Sequence, residues 1–309
     1  MIGTTSATLA KPFIKWAGGK QSLLPQLLSL TPFGSPTKQV GITKYAEPFL
    51  GGGAMFFHLA QHYHLEKAYL SDLNPNLILT YRVIKNEIEG FYQEYKDFNE
   101  QYLAKDSDQR REFFLNTREA YNVVPFLDYV RGSNYCLKRA AQFIYLNKSC
   151  FNGLHRVNKK GLFNVPMGSY SNPTIFDWEN LSKTSKVLAI ARINHGGYRS
   201  YSDCFDENTF VYLDPPYRPL SPTAQFNSYT EGGFTDDSQE ELARFYRLLD
   251  KRGVKVMLSN SDPRNHDPSD TFFDDLYAGF NIHRIQAKRS INSKRDRRGY
   301  LSEIVVTNY

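Results

Sequence analysis

Apolar and polar positions change their period several times along the chain, and each change marks an element. Residues 21–30 carry apolar side chains at helical spacing after a Gly18-Gly19 turn. Residues 44–49 read as a short strand running into Gly51-Gly52-Gly53, and the apolar stretch 54–59 then opens a helix. A second strand over 67–71 and a second helix over 74–85 complete one βαβ unit with a helix to follow. From 89 to 148 the spacing turns helical throughout, with Phe91, Tyr92, Tyr95 and Phe98 on one stripe and Ala140, Ala141 and Ile144 on another. Residues 156–166 set Asn158-Lys159-Lys160-Gly161 between apolar positions and read as a hairpin. Alternation then resumes: 209–213 a strand, 238–250 a helix, 254–259 a strand, and 280–286 with 302–307 a closing antiparallel pair around a basic loop. The order predicts an α/β sheet domain built from both chain ends, residues 1–88 and 196–309, interrupted by an insertion over 89–195. There is no internal repeat and no low-complexity segment.

Composition narrows the class. A length of 309 residues allows one large domain or two modest ones. With 41% hydrophobic and 23% charged residues, the chain is ordinary globular protein, which excludes disorder, collagen and coiled coil. No apolar run approaches the roughly 20 residues that span a bilayer, and residues 1–6 lack the basic start and apolar stretch of a secretory signal. Cys136, Cys150 and Cys204 are odd in number and form no C-x-x-C pair, which fits a reducing compartment. A soluble, cytoplasmic protein is expected.

Charge changes the picture further. The formal net charge is +6, yet residues 129–176 hold seven Lys/Arg and no Asp or Glu, so the remainder of the chain is at −1. That window of 48 residues also carries eight Tyr/Phe. Basic charge interleaved with aromatic rings suits a polyphosphate partner with stackable bases. A second cluster, Lys288, Arg289, Lys294, Arg295, Arg297 and Arg298, is broken only by Asp296.

Three motifs carry candidate chemistry. Glu47-Pro48-Phe49-Leu50-Gly51-Gly52-Gly53 is a strand end followed by a Gly-rich turn, which lets a ligand approach the backbone. Asp72 closes the next strand 19 residues beyond Gly53, where an acid accepts ribose hydroxyls in nucleotide-binding α/β folds. The spacing is not G-x-G-x-x-G, which disfavours a nicotinamide dehydrogenase. Asp214-Pro215-Pro216-Tyr217 ends the strand over 209–213, at the carboxyl edge where open sheets place ligands. Its acid, its rigid carbonyl and its ring suit a planar base with an exocyclic amine: two acceptors take the N–H bonds and the ring stacks on the base. Holding both hydrogens favours a pyramidal nitrogen whose lone pair is free to attack. The third motif, residues 11–20, sets Trp16 before Gly18, Gly19 and Lys20, an aromatic wall with a cation for a small ligand or an N-terminal helix cap. His58, His62 and His64 give H-x-x-x-H spacing, but residue 59 is Leu and no metalloprotease pattern results, and the three cysteines have no metal-ligand spacing, so no metal is expected.

Together these residues resemble the DNA adenine methyltransferase (Dam) family of N6-adenine methyltransferases, in motif order and over nearly the whole chain. The most specific match is 147–158, Asn-Lys-Ser-Cys-Phe-Asn-Gly-Leu-His-Arg-Val-Asn, followed by 161–166, Gly-Leu-Phe-Asn-Val-Pro, which is similar to the family's DNA-recognition hairpin. The resemblance implies a Rossmann-like S-adenosylmethionine-dependent methyltransferase sheet, with residues 89–195 as an inserted helical and β-hairpin target-recognition domain. It implies a cofactor set of Trp16, Lys20, Glu47, Phe49, Gly51, Gly53, Asp72 and Asp214, with Asp214, Pro215, Pro216 and Tyr217 gripping the target adenine. It implies a DNA-binding set of Lys15, Phe151, Asn152, Leu154, Arg156, Pro166 and Tyr170. Arg156 would read a guanine, Leu154 and Pro166 would meet a thymine methyl, and Phe151, supported by Asn152, would insert beside a flipped adenine. Lys15 would touch a guanine at the edge of the site. Compared with one member of that family, Phe151 replaces a Tyr, Leu162 an acidic residue and Ser169 an Arg.

The implied activity is transfer of the methyl group of S-adenosylmethionine to N6 of adenine in double-stranded DNA, within 5′-GATC, with the loop over 218–233 closing on the base. No obligate protein partner is implied, and both a restriction–modification methylase and one acting alone fit these residues. The other readings are an RNA or protein-glutamine methyltransferase, or a DNA-binding protein that has lost catalysis. Asp rather than Asn at 214 favours DNA, and intact catalytic and cofactor motifs oppose the silent binder.

Overall fold

The computed structural model describes residues 9–33, 41–170, 173–218, 234–288 and 300–309. In chain order, α1 (Leu24–Ser29) and β1 (Lys44–Glu47) precede α2 (Ala54–His62), β2 (Lys67–Asp72) and α3 (Pro75–Asn86). Three long helices follow: α4 (Ile88–Leu103), α5 (Ser107–Val123) and α6 (Asn134–Ser149). After α7 (Trp178–Val187) and β3 (Ala191–His195) come β4 (Thr209–Leu213), α8 (Asp236–Lys251), β5 (Lys255–Ser261), α9 (Phe272–Leu276), β6 (Asn281–Lys288) and β7 (Tyr300–Thr307). The elements form two compact units. One comprises Met1–Gly19, Gly51–His64 and Asp72–His195, the other Lys20–Leu50, Leu65–Ser71 and Gly196–Tyr309.

The second unit is an open α/β sheet with strands in the order β2-β1-β4-β5-β7-β6. β1 pairs in parallel with β2 and with β4, and β4 with β5. β7 then runs antiparallel between β5 and β6, the closing pair that the sequence predicts. Every residue of β4 is buried, as a central parallel strand requires, so Thr-Phe-Val-Tyr-Leu reads as a continuous apolar run rather than an alternating one. α8 presents Leu242, Phe245, Tyr246 and Leu249 on one face. They pack with Val211, Leu213, Val256, Leu258, Ile304 and Val306 in a single core cluster. Burying each such side chain contributes roughly 1.5–3 kcal/mol, and this layer holds the strand ends in register.

In the first unit the helical stripe is observed at Phe91, Tyr95, Phe98 and Tyr102, all buried on α4. Tyr145 of α6 is the hub, with ring centroids 5.0 Å from Phe98, 5.8 Å from Tyr102 and 5.4 Å from Phe113. Tyr92 falls off the stripe and packs on Trp178 at 4.4 Å instead. α2 and α3 belong to this unit too. Arg139 of α6, itself buried, donates from Nε to Asn76 Oδ1 of α3 at 2.9 Å, tying those helices together.

Three elements carried no sequence signal: β3, α7 and the short α9. β3 has only Ala191 and Ile193 buried, too few apolar positions to register as alternation. Two of its carbonyls accept from side chains of α3: Arg82 donates twice to Ile193 O, at 2.9 and 3.1 Å, and Lys85 to Ala191 O. α7 is capped by Asp177, whose side chain accepts from Asn180 N at 3.1 Å. The expected hairpin is present in reduced form, as bridges Val157↔Phe163 and Cys150↔Met167 around a turn in which Gly161 N donates to Asn158 O at 2.8 Å.

Candidate active site

The Gly-rich turn and the N-terminal motif meet in the first unit. At Gly51 the backbone is left-handed (φ +46°), and a Cβ there would lie 2.7 Å from Cδ1 of Trp16, so only glycine admits the indole. Gly51 N donates to Asp72 Oδ2 at 2.9 Å, while Asn74 N donates to Asp72 Oδ1, also at 2.9 Å. The carboxylate of Asp72 is thus oriented by two backbone donors at the end of β2. Burial raises its pKa and the two N–H groups oppose that shift. Asn74 caps α3 by accepting Leu77 N at 3.0 Å, and Tyr81 OH donates to Gly51 O at 3.2 Å. Gly53 stands as the residue before α2. Trp16, Gly51, Gly53 and Asp72, all expected to border the cofactor, are therefore neighbours in one unit.

In the second unit the strand register assembles the tetrapeptide's surroundings. Leu213 of β4 lies opposite Leu258 of β5, which sets Asp214 beside Ser259, and Ser261 lies opposite Glu303 of β7. Asp214 Oδ1 accepts from Ser259 Oγ at 2.8 Å, and Oδ2 is 2.7 Å from Lys20 Nζ, a largely buried ion pair with side chains 18% and 6% exposed. Ser259 Oγ also lies 2.9 Å from Tyr212 OH. Tyr217 OH donates to Glu303 Oε2 at 2.5 Å, and Lys20 Nζ sits 4.8 Å from the Tyr217 ring centroid. Burial raises the pKa of Glu303, against the pull of Tyr217 and Lys20. Tyr217 is pushed well above the usual phenol range by burial and then by Asp214 and Glu303, so it stays a neutral donor. Gln239 Nε2 donates to Pro216 O at 3.3 Å, and the preceding Pro215 is buried. Glu47, at the end of β1, is buried and accepts from Tyr45 OH at 2.9 Å, and Phe49 stacks on Tyr198 at 5.9 Å.

The hairpin residues expected to meet DNA are held by two asparagines. From α6, Asn147 accepts from Lys15 N at 2.8 Å and donates to Lys15 O at 2.7 Å and Gly153 O at 2.9 Å. From α5, Asn122 accepts from Phe163 N at 2.8 Å and donates to Phe163 O at 2.9 Å. A Cβ at Gly153 (φ +64°) would strike the Lys15 side chain at 2.4 Å. Lys15 Nζ reaches Tyr170 OH at 3.3 Å. Phe151 is 50% exposed, and its neighbour Asn152 is the one non-glycine of positive φ (+55°) among the described residues. Arg156 and Pro166 are exposed and Leu154 half-buried. The Arg156 guanidinium is steadied by Nε donating to Asn164 Oδ1 at 2.8 Å.

Two of the seven basic residues in the positive window are not surface charges. Arg139 is buried in hydrogen bonds with its guanidinium 3.6 Å over the Tyr121 ring. Lys148 is half-buried, and burial lowers its pKa. The second basic cluster and the loop over 219–233 lie outside the described residues, apart from Lys288 at the end of β6. Asn122, His155, Ser259 and Glu303 carried no signal in the sequence, because each acts on residues brought to it by folding. Among the described residues, no group of three His, Cys, Asp or Glu is arranged to hold a metal ion, and no helix is long and apolar enough to cross a membrane.

Comparison with known proteins gives the family. The family profile of the D12 class N6 adenine-specific DNA methyltransferase matches residues 16–291. The chain is 46% identical over 302 residues to the Type II methyltransferase M.MjaIII of Methanocaldococcus jannaschii, covering 97% of this chain and 99% of that one. It is 38% identical to the Type II methyltransferase M1.LlaDCHI of Lactococcus lactis subsp. cremoris, covering 97% and 95%. It is 33% identical to a DNA adenine methylase of Vibrio cholerae, covering 96% and 95%. With its motifs in order and matches of this extent, the chain belongs to the D12 class of N6 adenine-specific DNA methyltransferases.

Proposed function

We propose that this enzyme transfers the methyl group of S-adenosylmethionine to N6 of adenine within 5′-GATC in duplex DNA, after flipping the base and without a covalent enzyme intermediate. The observation that carries the proposal is Asp214, fixed by Lys20 and Ser259 at the end of β4, beside a Tyr217 whose hydroxyl is anchored on Glu303. Two of roughly four acceptor positions on the carboxylate are occupied, which leaves positions for an N6–H. Pro215 O accepts the second N6–H, and the Tyr217 ring stacks on the base. Positive charge develops on N6 as the nitrogen–methyl bond forms and the methyl–sulfur bond breaks; the fixed carboxylate stabilises that charge without reorganising, and one N6 proton is then lost to solvent.

S-adenosylmethionine is the methyl donor that membership of this family implies, and the residues present fit it. Asp72 is an oriented carboxylate for ribose hydroxyls, Gly51 leaves its backbone bare against Trp16, and Lys20 is a buried cation. When bound, the cofactor supplies a methyl carbon already activated by a sulfonium. Trp16, Lys20, Glu47, Phe49, Gly51, Gly53, Asp72 and Asp214 are the residues that would hold it.

Residues 1–88 and 196–309 carry catalysis and 89–195 carry recognition, in the cytoplasm and with no obligate protein partner. Arg156 reads a guanine in the major groove, worth roughly 1–3 kcal/mol of discrimination. Leu154 and Pro166 face a thymine methyl, Lys15 and Tyr170 the edge of the site, and the half-exposed Phe151, with Asn152, fills the space of the extruded adenine. Flipping costs a few kcal/mol of stacking and pairing, which these contacts offset.

The test is methyl transfer from labelled S-adenosylmethionine to two duplexes, one with GATC and one with that site scrambled, by wild type and Asp214→Ala. Label confined to the GATC duplex and lost in the variant is the expected result. Equal labelling of both duplexes overturns the specificity, and unchanged transfer by Asp214→Ala overturns the catalytic assignment.

A further inference from the structure

We propose that His155 is a positioning residue that ties the recognition hairpin to the Trp16 wall, so that engagement of the cognate site tightens cofactor binding. This rests on the reading above, in which Trp16 borders the cofactor and the hairpin reads bases. His155 stands in the chain between Leu154 and Arg156, two of the hairpin residues assigned to base contacts. Its imidazole stacks on Trp16 with centroids 5.7 Å apart and planes 20° from parallel. Its Nδ1 lies 3.3 Å from Asn74 Nδ2, and Asn74 N in turn donates to Asp72 Oδ1 at 2.9 Å. One hairpin side chain therefore touches both the aromatic wall and the residue that orients the acid at the end of β2.

The hydrogen-bond pattern is directional. Asn74 Oδ1 accepts from Leu77 N at 3.0 Å, which fixes the amide so that its NH2 faces the imidazole. Nδ1 must then accept, and the ring proton resides on Nε2, which is buried with no hydrogen-bond partner among the described residues. Burial, with Arg139 nearby, lowers the His155 pKa to about 4, so the ring is neutral and able to accept. Phe143 and Phe163 pack on the ring at 5.5 and 5.8 Å. A phenylalanine here would keep the stack and avoid an unpaired buried donor. What imidazole adds is the bond to Asn74, and packing alone does not account for it. Asn147 makes the companion link through main chain, since it grips Lys15 and Gly153 together and leaves little freedom for the hairpin to shift without Lys15-Trp16.

The test is a binding cycle with sinefungin, a non-transferring cofactor analogue, titrated into wild type and His155→Phe with and without a GATC duplex. In wild type the duplex should tighten sinefungin by at least about fivefold, the low end of ordinary coupling between sites. His155→Phe should keep the DNA-free affinity within about threefold, because the stack survives, and should lose most of the coupling factor. His155→Asn, which restores an acceptor toward Asn74 without the ring, should recover part of the coupling while weakening the DNA-free affinity. Wild-type coupling retained in His155→Phe, or no coupling in wild type while both ligands bind, overturns the inference. A wild type that fails to bind sinefungin or the duplex at all overturns instead the functional reading beneath it.

Discussion

Replacing Gly51 with alanine should weaken cofactor binding as well as the fold. The backbone there sits at φ +46°, a left-handed conformation that costs an L-residue about 1–2 kcal/mol. Restriction of the unfolded chain returns about 0.4–1 kcal/mol. The added Cβ would lie 2.7 Å from Trp16 Cδ1 and 3.2 Å from Nε1, where carbon atoms at rest stand about 3.5–4.0 Å apart. The indole must retreat by about 1 Å, and its stack on His155 is disturbed with it. We expect a net loss of about 1–3 kcal/mol, and each kcal/mol lowers Tm by about 2–4 °C in a protein of this order of size. A wall displaced by that distance should reduce sinefungin affinity by about 10- to 100-fold. The assay is calorimetric titration beside thermal melts, with Gly161→Ala as control. At Gly161 φ is +73° but nothing lies within 4 Å of an added Cβ, so that variant isolates the backbone cost. Sinefungin affinity equal in the two variants would refute the claim that the Gly51–Trp16 contact shapes the cofactor site.

Arg156→Ala should cut the preference for GATC over a site with its guanine replaced by about 5- to 150-fold, the equivalent of roughly 1–3 kcal/mol; kcat/KM on the two duplexes measures it, and an unchanged ratio removes Arg156 from base reading. Glu303→Gln replaces the charged acceptor of Tyr217 OH with a neutral one, and should lower kcat by about tenfold with the DNA KM unchanged, since charge-assisted bonds are roughly twice as strong as neutral ones. A rise in KM at constant kcat would contradict that role. Acid stability should also report on His155, whose pKa is lowered in the fold from 6.5 to about 4. As pH falls the unfolded chain takes up the proton first, so stability that is complete above about 6.5 is lost progressively down to about 4. Denaturant titrations of wild type minus His155→Phe should show a difference that grows by on the order of 3 kcal/mol across that window, and a constant difference would place the imidazole outside the buried environment described here.

Local pattern by itself determined much of the architecture. β4 matches residues 209–213 to the residue, and β5, α8, β6 and β7 lie within a few residues of their predicted bounds, because their hydrophobic period is set within a few neighbouring residues. The α/β class followed from that alternation, whereas the Rossmann-like methyltransferase sheet followed from the resemblance of the motifs. Motifs contiguous in the chain, such as 214–217 and 147–158, were legible for the same reason, since a rigid acid–carbonyl–ring sequence carries its chemistry on a single strand end. Tertiary structure alone decided what those motifs lean on. Ser259 reaches Asp214 across 45 residues and Glu303 reaches Tyr217 across 86, and only strand register, a pairing of distant segments, brings them together. It also turned Arg139 from a surface charge into a buried brace, because a residue count records charge but not burial. And it made His155, a lone histidine among recognition residues, the neighbour of Trp16 and Asn74, since which faces meet depends on how the whole helical unit packs.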